Sequence, residues 1–288
     1  MRKLVFIAMT IAACWFAASR ANAAELRVPD HAVAGQDLKI ATSGSGSGTL
    51  LLIGPGEVIK HTVQLGQNAE IKGEELTHAG RWIAILRGGS PQSQVFWVEP
   101  GNTESLSFLA RPSRVPVNRP GVISGVVFTF DKYQNLVVQP ADVTFTLSVG
   151  GTSASQKVTT KNGVAWVRSS SAKKAGAAQF VAKVGDVTVN RVVQQVASDP
   201  CNLRMHVAAR AKNQITVQTD PIRDCTGNPV PDGTIVTFIE TDDSGRSVVD
   251  ARIKKGVATA ELPASAKAHI SVASGVVLGN ELNVGGGE

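Results

Sequence analysis

The chain has 288 residues, a hydrophobic fraction of 43% and a formal net charge of +6. This length allows two or three domains, and this balance of apolar and charged residues excludes an intrinsically disordered chain. The basic residues are scattered and do not alternate with aromatic ones. We therefore expect no nucleic-acid partner.

The N-terminus has the three parts of a secretory signal peptide. The basic pair Arg2-Lys3 precedes an apolar run over residues 4–18, and Ala21-Asn22-Ala23 is a small-x-small cleavage signal. The sequence predicts cleavage between Ala23 and Ala24. Because the removed segment carries three basic residues and no acidic ones, the mature chain would have a net charge of +3.

Two other interpretations of this segment stay open. An uncleaved anchor needs about 20 apolar residues to cross a bilayer, and the run has about 15. The segment Ile11-Ala12-Ala13-Cys14 resembles a bacterial lipobox, in which Cys14 would carry a lipid, although the apolar run continues beyond it. No later stretch is apolar enough to span a membrane, so we expect no membrane span in the mature chain.

Removal of the leader leaves two cysteines, Cys201 and Cys225. In an exported chain this pair predicts one disulfide, which closes an intervening loop of 23 residues. The alternative is two free thiols in a reducing compartment. Two sulfurs without a second pair or a histidine cluster nearby do not make a zinc site, and the five histidines are spread singly. We therefore expect no metal and no cofactor.

About seven short strands alternate with turn signals over residues 24–100, at a spacing of roughly ten residues. This spacing is typical of an all-β sandwich. The strand Thr49–Ile53 is apolar throughout. The segment Ala79-Gly80-Arg81-Trp82 resembles the aromatic that immunoglobulin-type domains often carry near the start of their penultimate strand. A polar turn over residues 99–104 is the first predicted domain boundary.

A second module is predicted over residues 104–197. The proline-rich segment 111–120 is expected at a sheet edge, since proline cannot donate a hydrogen bond to a neighbouring strand. Residues 122–130 and 142–149 alternate between apolar and polar side chains, as half-buried strands do. The tripeptide Lys161-Asn162-Gly163 is a hairpin-type turn.

A third module is predicted over residues 200–285, and it repeats features of the second. Asp131 and Asp224 are 93 residues apart, and so are Gly163 and Gly256. Each aspartate opens a polar, turn-rich segment that leads into an alternating strand. The shared offset predicts two homologous sandwiches in tandem, behind a more divergent first one and the signal peptide at 1–23.

At this point the sequence resembles a known family. The runs Asp224-Cys225-Thr226-Gly227-Asn228-Pro229-Val230 and Gly233-Thr234-Ile235-Val236-Thr237-Phe238, with the later Gly256-Val257-Ala258, resemble the bacterial Ig-like domains of the invasin and intimin type. The second module is similar in outline, with Gln134-Asn135-Leu136-Val137 at the position of Gly-Asn-Pro-Val. The resemblance implies an exported Ig-like sandwich that serves as a stalk, spacer or adhesion module. The family's outer-membrane barrel and lectin-like tip have no counterpart in these 288 residues.

The motif residues have a clear structural use. Asp224 can accept backbone N–H bonds in an Asx turn, Gly227 can take a positive φ, and Asn228 before Pro229 favours an extended exit from the turn. We therefore expect these residues to shape a loop. The alternative, that the loop also binds a ligand, stays open.

No set of residues predicts catalysis: the sequence has no nucleophile elbow and no P-loop. The segment Asp242-Asp243-Ser244-Gly245 offers few oxygens for calcium and is expected to be a hairpin turn. The sequence thus predicts a non-catalytic exported protein in adhesion, scaffolding or protein contact. It would be periplasmic, surface-bound or secreted, with an unknown protein or surface glycan as partner.

The alternative function is carbohydrate binding or enzyme assistance outside the cytoplasm. It requires an exposed aromatic platform. We expect Trp82, Trp97 and Trp166 to pack in cores, because large aromatic side chains bury the most apolar surface. Tyr133, in the polar segment between two strands, is then the best exposed candidate.

Overall fold

The computed structural model describes residues 24–88, 90–212, 214–263 and 267–285. The predicted leader, with Cys14 and Ala23, lies outside these residues, and Ala24 is buried. The regular structure of the described residues is β apart from one short 3-10 helix, which confirms the all-β class. By its internal contacts the chain divides into two compact units, with the division after Gly101.

The first unit contains the strands that we call the first sandwich. In chain order they are β1 (Leu26–Arg27), β2 (His31–Val33), β3 (Leu38–Thr42), β4 (Ser47–Gly54), β5 (Glu57–Gln64), β6 (Asn68–Ile71), β7 (Gly80–Arg87) and β8 (Gln92–Glu99), with the 3-10 helix at Gly73–Glu75. One sheet has the order β1-β3-β6 and the other β2-β8-β7-β4-β5. Alternate side chains are buried, and the rings of Trp82 and Phe96 lie 6.2 Å apart in the core.

The second unit contains two further sets of sheets. The strands of the second sandwich are β9 (Ser105–Arg111), β10 (Arg114–Pro116), β11 (Ile123–Phe130), β12 (Asp142–Val149), β13 (Thr152–Thr159), β14 (Val164–Ser169), β15 (Gly176–Val184) and β16 (Val187–Val196). They form a five-stranded sheet, β10-β16-β15-β12-β13, and a three-stranded sheet, β14-β11-β9. The core between them contains Phe108, Phe145 and Phe180, whose ring centroids lie 5.2 to 6.1 Å apart.

The third sandwich follows with nine strands among its described residues. They are β17 (Pro200–Cys201), β18 (Met205–Ala211), β19 (Gln214–Thr219), β20 (Arg223–Asp224), β21 (Ile235–Asp242), β22 (Gly245–Arg252), β23 (Thr259–Pro263), β24 (Ala268–Ser274) and β25 (Val277–Val284). Their sheets have the orders β18-β19-β23, β22-β21-β24-β25 and β17-β20. One apolar cluster, with Phe238 fully buried, joins the first two sheets.

The proline-rich segment lies where the sequence predicted it. Strand β10, with Pro116 at its end, pairs in parallel with β16 and forms the edge of the five-stranded sheet. The predicted turn at Asn162-Gly163 is also confirmed, because both residues have positive φ, at 50° and 76°, and Lys161 bridges to Val164. This is the geometry that Asn-Gly favours in two-residue turns.

The 93-residue offset recurs in the backbone of the second and third sandwiches. Strands β12 and β21 begin and end 93 residues apart, as do β13 and β22. The turn at Lys255-Gly256, with φ of 52° and 84°, matches the one at Asn162-Gly163. Since the two strands and the turn that follows them coincide, the shared sequence pattern corresponds to a shared fold.

Within the residues that the structure describes, no helix is long and apolar enough to cross a bilayer.

Candidate functional site: the Asp224–Asn228 loop

The Asp224 carboxylate organises the motif loop. Its Oδ1 accepts the backbone N–H of Thr226 and of Asn228, both at 2.9 Å, and also the Thr226 hydroxyl at 2.8 Å. Oδ2 accepts Nδ2 of Asn228 at 3.0 Å. The backbone closes the same turn, because Asp224 N donates to Asn228 O and Gly227 N donates to Asp224 O. This is an Asx-type turn in which one side chain satisfies several backbone donors.

Gly227 and Pro229 complete the turn. Gly227 has a φ of 86°, in the left-handed region that favours glycine. Its carbonyl accepts Nη1 of Arg223 at 2.8 Å. Pro229 forms a bridge with Arg223, after which Val230 N donates to Ile222 O and the chain rejoins the core.

The second sandwich contains the same turn. Asp131 Oδ1 accepts the backbone N–H of Tyr133 at 2.8 Å and of Asn135 at 2.9 Å, and Oδ2 accepts Asn135 Nδ2 at 2.8 Å. Gln134 stands at the position of Gly227 and also has a positive φ, 66°. The carboxylate and the amide four residues later are thus the constant parts of this turn.

The disulfide ties the loop to the start of its own sandwich. Cys201 and Cys225 are bonded, with their Cα atoms 4.9 Å apart. The bond joins two short strands that already pair, because Pro200 lies opposite Asp224 and Cys201 opposite Arg223. The predicted disulfide is therefore present.

Asn228 connects the loop to the second sandwich. Its side chain is only 8% exposed. Nδ2 donates to the carbonyl of Lys173 at 2.7 Å, and Oδ1 accepts the backbone N–H of Ala175 at 2.8 Å. Both partners lie in the segment between β14 and β15. One amide side chain therefore forms hydrogen bonds with both a backbone donor and a backbone acceptor of the neighbouring sandwich, as a paired strand would.

Ser198, in the connection between the two sandwiches, makes two further contacts. Its backbone N–H donates to Asp224 Oδ2 at 3.1 Å, and its hydroxyl donates to Val117 O at 2.8 Å. An exposed ion pair of 3.7 Å joins Arg119 to Asp199 beside it. We call this set of contacts, from Asn228 to Ser198, the junction. A shallow cleft of about 230 Å³ lies along it.

Asp224 is buried at 4% exposure and remains ionised. Burial, the largest influence, raises its pKa, but hydrogen bonds from the side chains of Asn228 and Thr226 and from the amides of Asn228 and Ser198 outweigh it. The pKa of Asp224 is therefore lower than its ordinary value. The negative charge is part of the loop's structure at neutral pH.

Two histidines of the first sandwich and the acidic turn of the third make contacts within their own sandwiches. His61 pairs with Glu75 at 2.9 Å and His78 with Glu57 at 2.8 Å. Asp242 caps the hairpin between β21 and β22 by accepting the Ser244 N–H at 2.7 Å, which confirms the predicted turn. No group of three or more His, Cys, Asp or Glu residues within the described part of the chain is arranged to hold a metal ion.

The prediction for the tryptophans was wrong in two cases of three. Trp82 is fully buried, but Trp97 is 50% and Trp166 64% exposed. Trp166 alternates with the buried Ala165 and Val167, so its side chain must point to the solvent face of β14. Tyr133, the expected exposed aromatic, is half-buried. The alternation in Val164–Arg168 could have indicated the outward position of Trp166.

No family model matches the sequence, and no curated protein matches it in sequence either. In structure the chain is similar to FdeC, an Escherichia coli adhesin, with 14% identity, a TM-score of 0.60 and coverage of 91% of this chain and 97% of that one. It is also similar to Yersinia pseudotuberculosis InvD, with 11% identity, a TM-score of 0.50 and coverage of 91% and 96%.

Invasin, a bacterial integrin-binding protein, matches with a TM-score of 0.49, 13% identity and coverage of 88% of this chain and 57% of that one. At such identities the similarity establishes the fold alone. The resemblance predicted from the Asp224 motif is thus confirmed at the level of the fold: the chain is built of immunoglobulin-like β-sandwiches in tandem, similar to those of FdeC and InvD.

Proposed function

We propose that this chain is a non-catalytic exported protein that presents immunoglobulin-like domains for contact with another macromolecule. Residues 1–23 would be the leader, removed between Ala23 and Ala24. The domains would be 24–100, 104–197 and 200–285. The mature protein would act outside the cytoplasm, as an adhesion, scaffold or interaction module.

The observation that carries this proposal is the structural use of the motif loop. Three of its side chains are engaged within the protein: Asp224 with backbone donors, Asn228 with Lys173 and Ala175, and Cys225 with Cys201. A catalytic or metal-binding loop keeps some of its polar groups aimed at the ligand instead. The loop here holds one sandwich against the next, and such a connection suits a protein that displays a binding surface at a distance.

The disulfide supports export independently. Disulfides persist in oxidising compartments and are reduced in the cytosol of most bacteria. The Escherichia coli adhesin FdeC shares the fold, and this similarity supports contact with a surface or another protein as the function.

The test is to express the whole gene product in a bacterium with a Sec pathway and to analyse the periplasmic and medium fractions by mass spectrometry. We expect a chain that begins at Ala24 and contains no alkylatable thiol. The control variant Ala23→Arg should keep the leader, because a large basic residue blocks the cleavage site. An intact leader on the wild-type protein, or two alkylatable thiols in it, would contradict the proposal.

A second function, carbohydrate binding, is favoured by one observation: the exposed ring of Trp166 on the outer face of the second sandwich. In the strand register Val126 lies between Trp166 and Leu109, and Arg168 and Arg111 lie on the next row. Aromatic platforms bordered by hydrogen-bond donors recognise sugars through stacking and polar contacts.

A glycan array tests this alternative. Saturable binding that Trp166→Ala abolishes would support it. The matched control is Thr259→Ala, because Thr259 lies 93 residues after Trp166 on the corresponding strand, where its hydroxyl accepts Gln218 Nε2 at 3.0 Å. If both variants still bound the glycan, the sugar would bind elsewhere, and Trp166 would not be part of the binding surface.

A further inference from the structure

The outer face of the five-stranded sheet in the first sandwich is apolar across four neighbouring strands. The strand register places Val58, Ile53, Ile83 and Val95 in one row. At about 4.8 Å between strands, this row spans about 14 Å. Val58 is 63% exposed, and no other described part of the first unit covers the row.

The rows on either side extend the apolar area. Leu51 pairs with Ile85 on one side of it, and both are half-buried. On the other side Trp97, 50% exposed, pairs with Arg81 and His31. We call these seven apolar residues the apolar face: Leu51, Ile53, Val58, Ile83, Ile85, Val95 and Trp97.

The fold does not require an apolar surface here. On the corresponding five-stranded sheet of the second sandwich, Thr144 lies between Lys157 and Lys183, and Thr146 pairs with Ser155. Those outward positions are polar, as expected for a sheet with one face in water. A strand such as β4, apolar on both faces, is instead typical of a sheet that is covered on both sides.

Basic side chains outnumber carboxylates around the apolar face. Arg81, Lys60 and Arg87 point outward from the same sheet and are exposed. None of the three forms an ion pair with another described residue. The two carboxylates on these strands, Glu57 and Glu99, contact His78 at 2.8 Å and His31 at 3.0 Å. The rim therefore presents a net positive charge.

We propose that the apolar face is a docking surface for a partner protein whose own apolar patch is bordered by acidic side chains. This rests on the proposed interaction function and names the partner's chemistry. Protein interfaces combine an apolar centre with a polar rim, and tryptophan and arginine contribute most to their affinity. Opposite charge on the rim also accelerates association and suppresses wrong partners.

The same features disfavour the other occupants. A second copy of this face would bring three cations against three cations, which costs free energy. Valine, isoleucine and leucine offer no hydrogen bonds to a sugar. A lipid surface would have to accommodate a flat sheet of short side chains, whereas interfacial segments insert long apolar side chains of an amphipathic helix.

The test uses a displayed library of random short peptides, selected on the whole exported protein. We expect the enriched peptides to combine acidic and apolar residues. Their affinity should fall at least tenfold for the double variant Val58→Thr, Val95→Thr, which keeps the branched shape of both side chains and replaces one methyl group of each by a hydroxyl. Charge reversal by Arg81→Glu with Lys60→Glu should lower the affinity of the peptides similarly and reduce the dependence of this affinity on salt.

The matched control is Val192→Thr, since Val192 is 53% exposed on the five-stranded sheet of the second sandwich. This variant should bind the peptides as the wild-type protein does. Peptides without acidic residues, or peptides that bind all variants equally, would overturn the proposal.

Two further measurements separate the rejected occupants. A dimer in sedimentation that Val58→Thr, Val95→Thr abolishes would assign the face to a second copy. Co-sedimentation with phosphatidylglycerol vesicles that the same variant abolishes would assign it to lipid. Either result would overturn the proposal. Because the export test concerns the leader and the thiols, export can succeed while docking fails, and the two failures are distinguishable.

Discussion

The loops 131–135 and 224–228 form the same turn with different residues, and the difference separates what the turn needs from what the junction adds. In both loops an aspartate accepts two backbone N–H groups and the side chain of an asparagine four residues later. The residues between them differ, with Lys132 and Gln134 in one loop and Cys225 and Gly227 in the other.

Two residues of the second loop therefore serve purposes beyond the turn. Cys225 ties the loop to Cys201, and Asn228 uses both ends of its amide on Lys173 and Ala175 of the preceding sandwich. The turn is thus a stable frame in which a variable position, Cys225, carries the covalent tether, while the constant asparagine, Asn228, also makes the inter-sandwich contact. Substitutions that act on the frame, the tether or the contact should have separable effects.

The largest effect is expected from Asp224→Ala. The change leaves the N–H groups of Thr226, Asn228 and Ser198 without their acceptor, in a buried place. Loss of hydrogen bonds to a charged group should lower the free energy of unfolding of the third sandwich by about 3 to 4 kcal/mol. Hydrogen exchange of the amides in β21, followed under increasing denaturant, measures this loss of unfolding free energy.

Asp131→Ala is the matched variant. It should destabilise β12, the strand that begins and ends 93 residues before β21. If Asp224→Ala lowered the protection of β12 more than that of β21, the frame would not belong to the third sandwich.

Removal of the tether should have the next largest effect. The disulfide spans 24 positions, and a closed loop of this size contributes about 3 kcal/mol through the entropy of the unfolded chain. The double variant Cys201→Ser, Cys225→Ser should lower the protection of β21 by this amount. The second sandwich contains no cysteine, so β12 is the internal control. An unchanged β21 would mean that the bond constrains only the loop.

Asn228→Ala should break the contact with the second sandwich at a cost of about 2 kcal/mol. The effect that distinguishes this variant is local. The amide of Ala175 loses its acceptor and should exchange its hydrogen with solvent faster. Asn135→Ala changes the equivalent asparagine of the first loop and should leave exchange at Ala175 unaltered. Equal acceleration in both variants would indicate general loosening instead of a lost contact.

Protonation of Asp224 in acid should destabilise the third sandwich less than the substitutions above, because a protonated carboxyl group still accepts some hydrogen bonds. The pKa of Asp224 is lowered in the folded state, so its contribution is present at neutral pH and is lost as the pH falls below about 4 toward the folded pKa. Protection of β21 should therefore decrease over this range.

The variant Asp224→Asn provides the control for the acid effect. Its protection should decrease less on acidification, and the remaining decrease reports Asp232, whose pKa the amides of Lys255 and Gly256 also lower. Identical acid profiles for the two proteins would show that Asp224 does not titrate with folding.

The sequence predicted the features that depend on local pattern. Alternation indicated the strands, the two cysteines indicated the disulfide, and Asn162-Gly163 indicated its turn. Trp97 and Trp166 were placed wrongly because the prediction followed the size of the side chain and not its position in the alternation of its strand. The core at that place is already filled by Phe108, Phe145 and Phe180, and their arrangement depends on the tertiary structure.

The junction could not be predicted from any local pattern. Asn228 and Lys173 are 55 residues apart, and the segment 173–175 has no feature that marks it as a partner. The positive φ of Gln134 was equally hidden, since glutamine has no preference for that conformation. The sequence pattern placed Gln134 at the position of Gly227, but only the structure reveals that the two residues share a positive φ.

The smallest effect should come from exchanging these two residues. Gln134→Gly relieves a left-handed backbone that costs a side-chain-bearing residue roughly 1 to 2 kcal/mol, and glycine's greater entropy in the unfolded chain offsets roughly half of this. We expect β12 to gain about 0.5 kcal/mol. Gly227→Gln should cost β21 about 1 kcal/mol through the backbone alone, because no atom lies within 4 Å of the added Cβ. Effects of the same sign would show that side-chain contacts, and not the shared φ, decide which residue each loop carries.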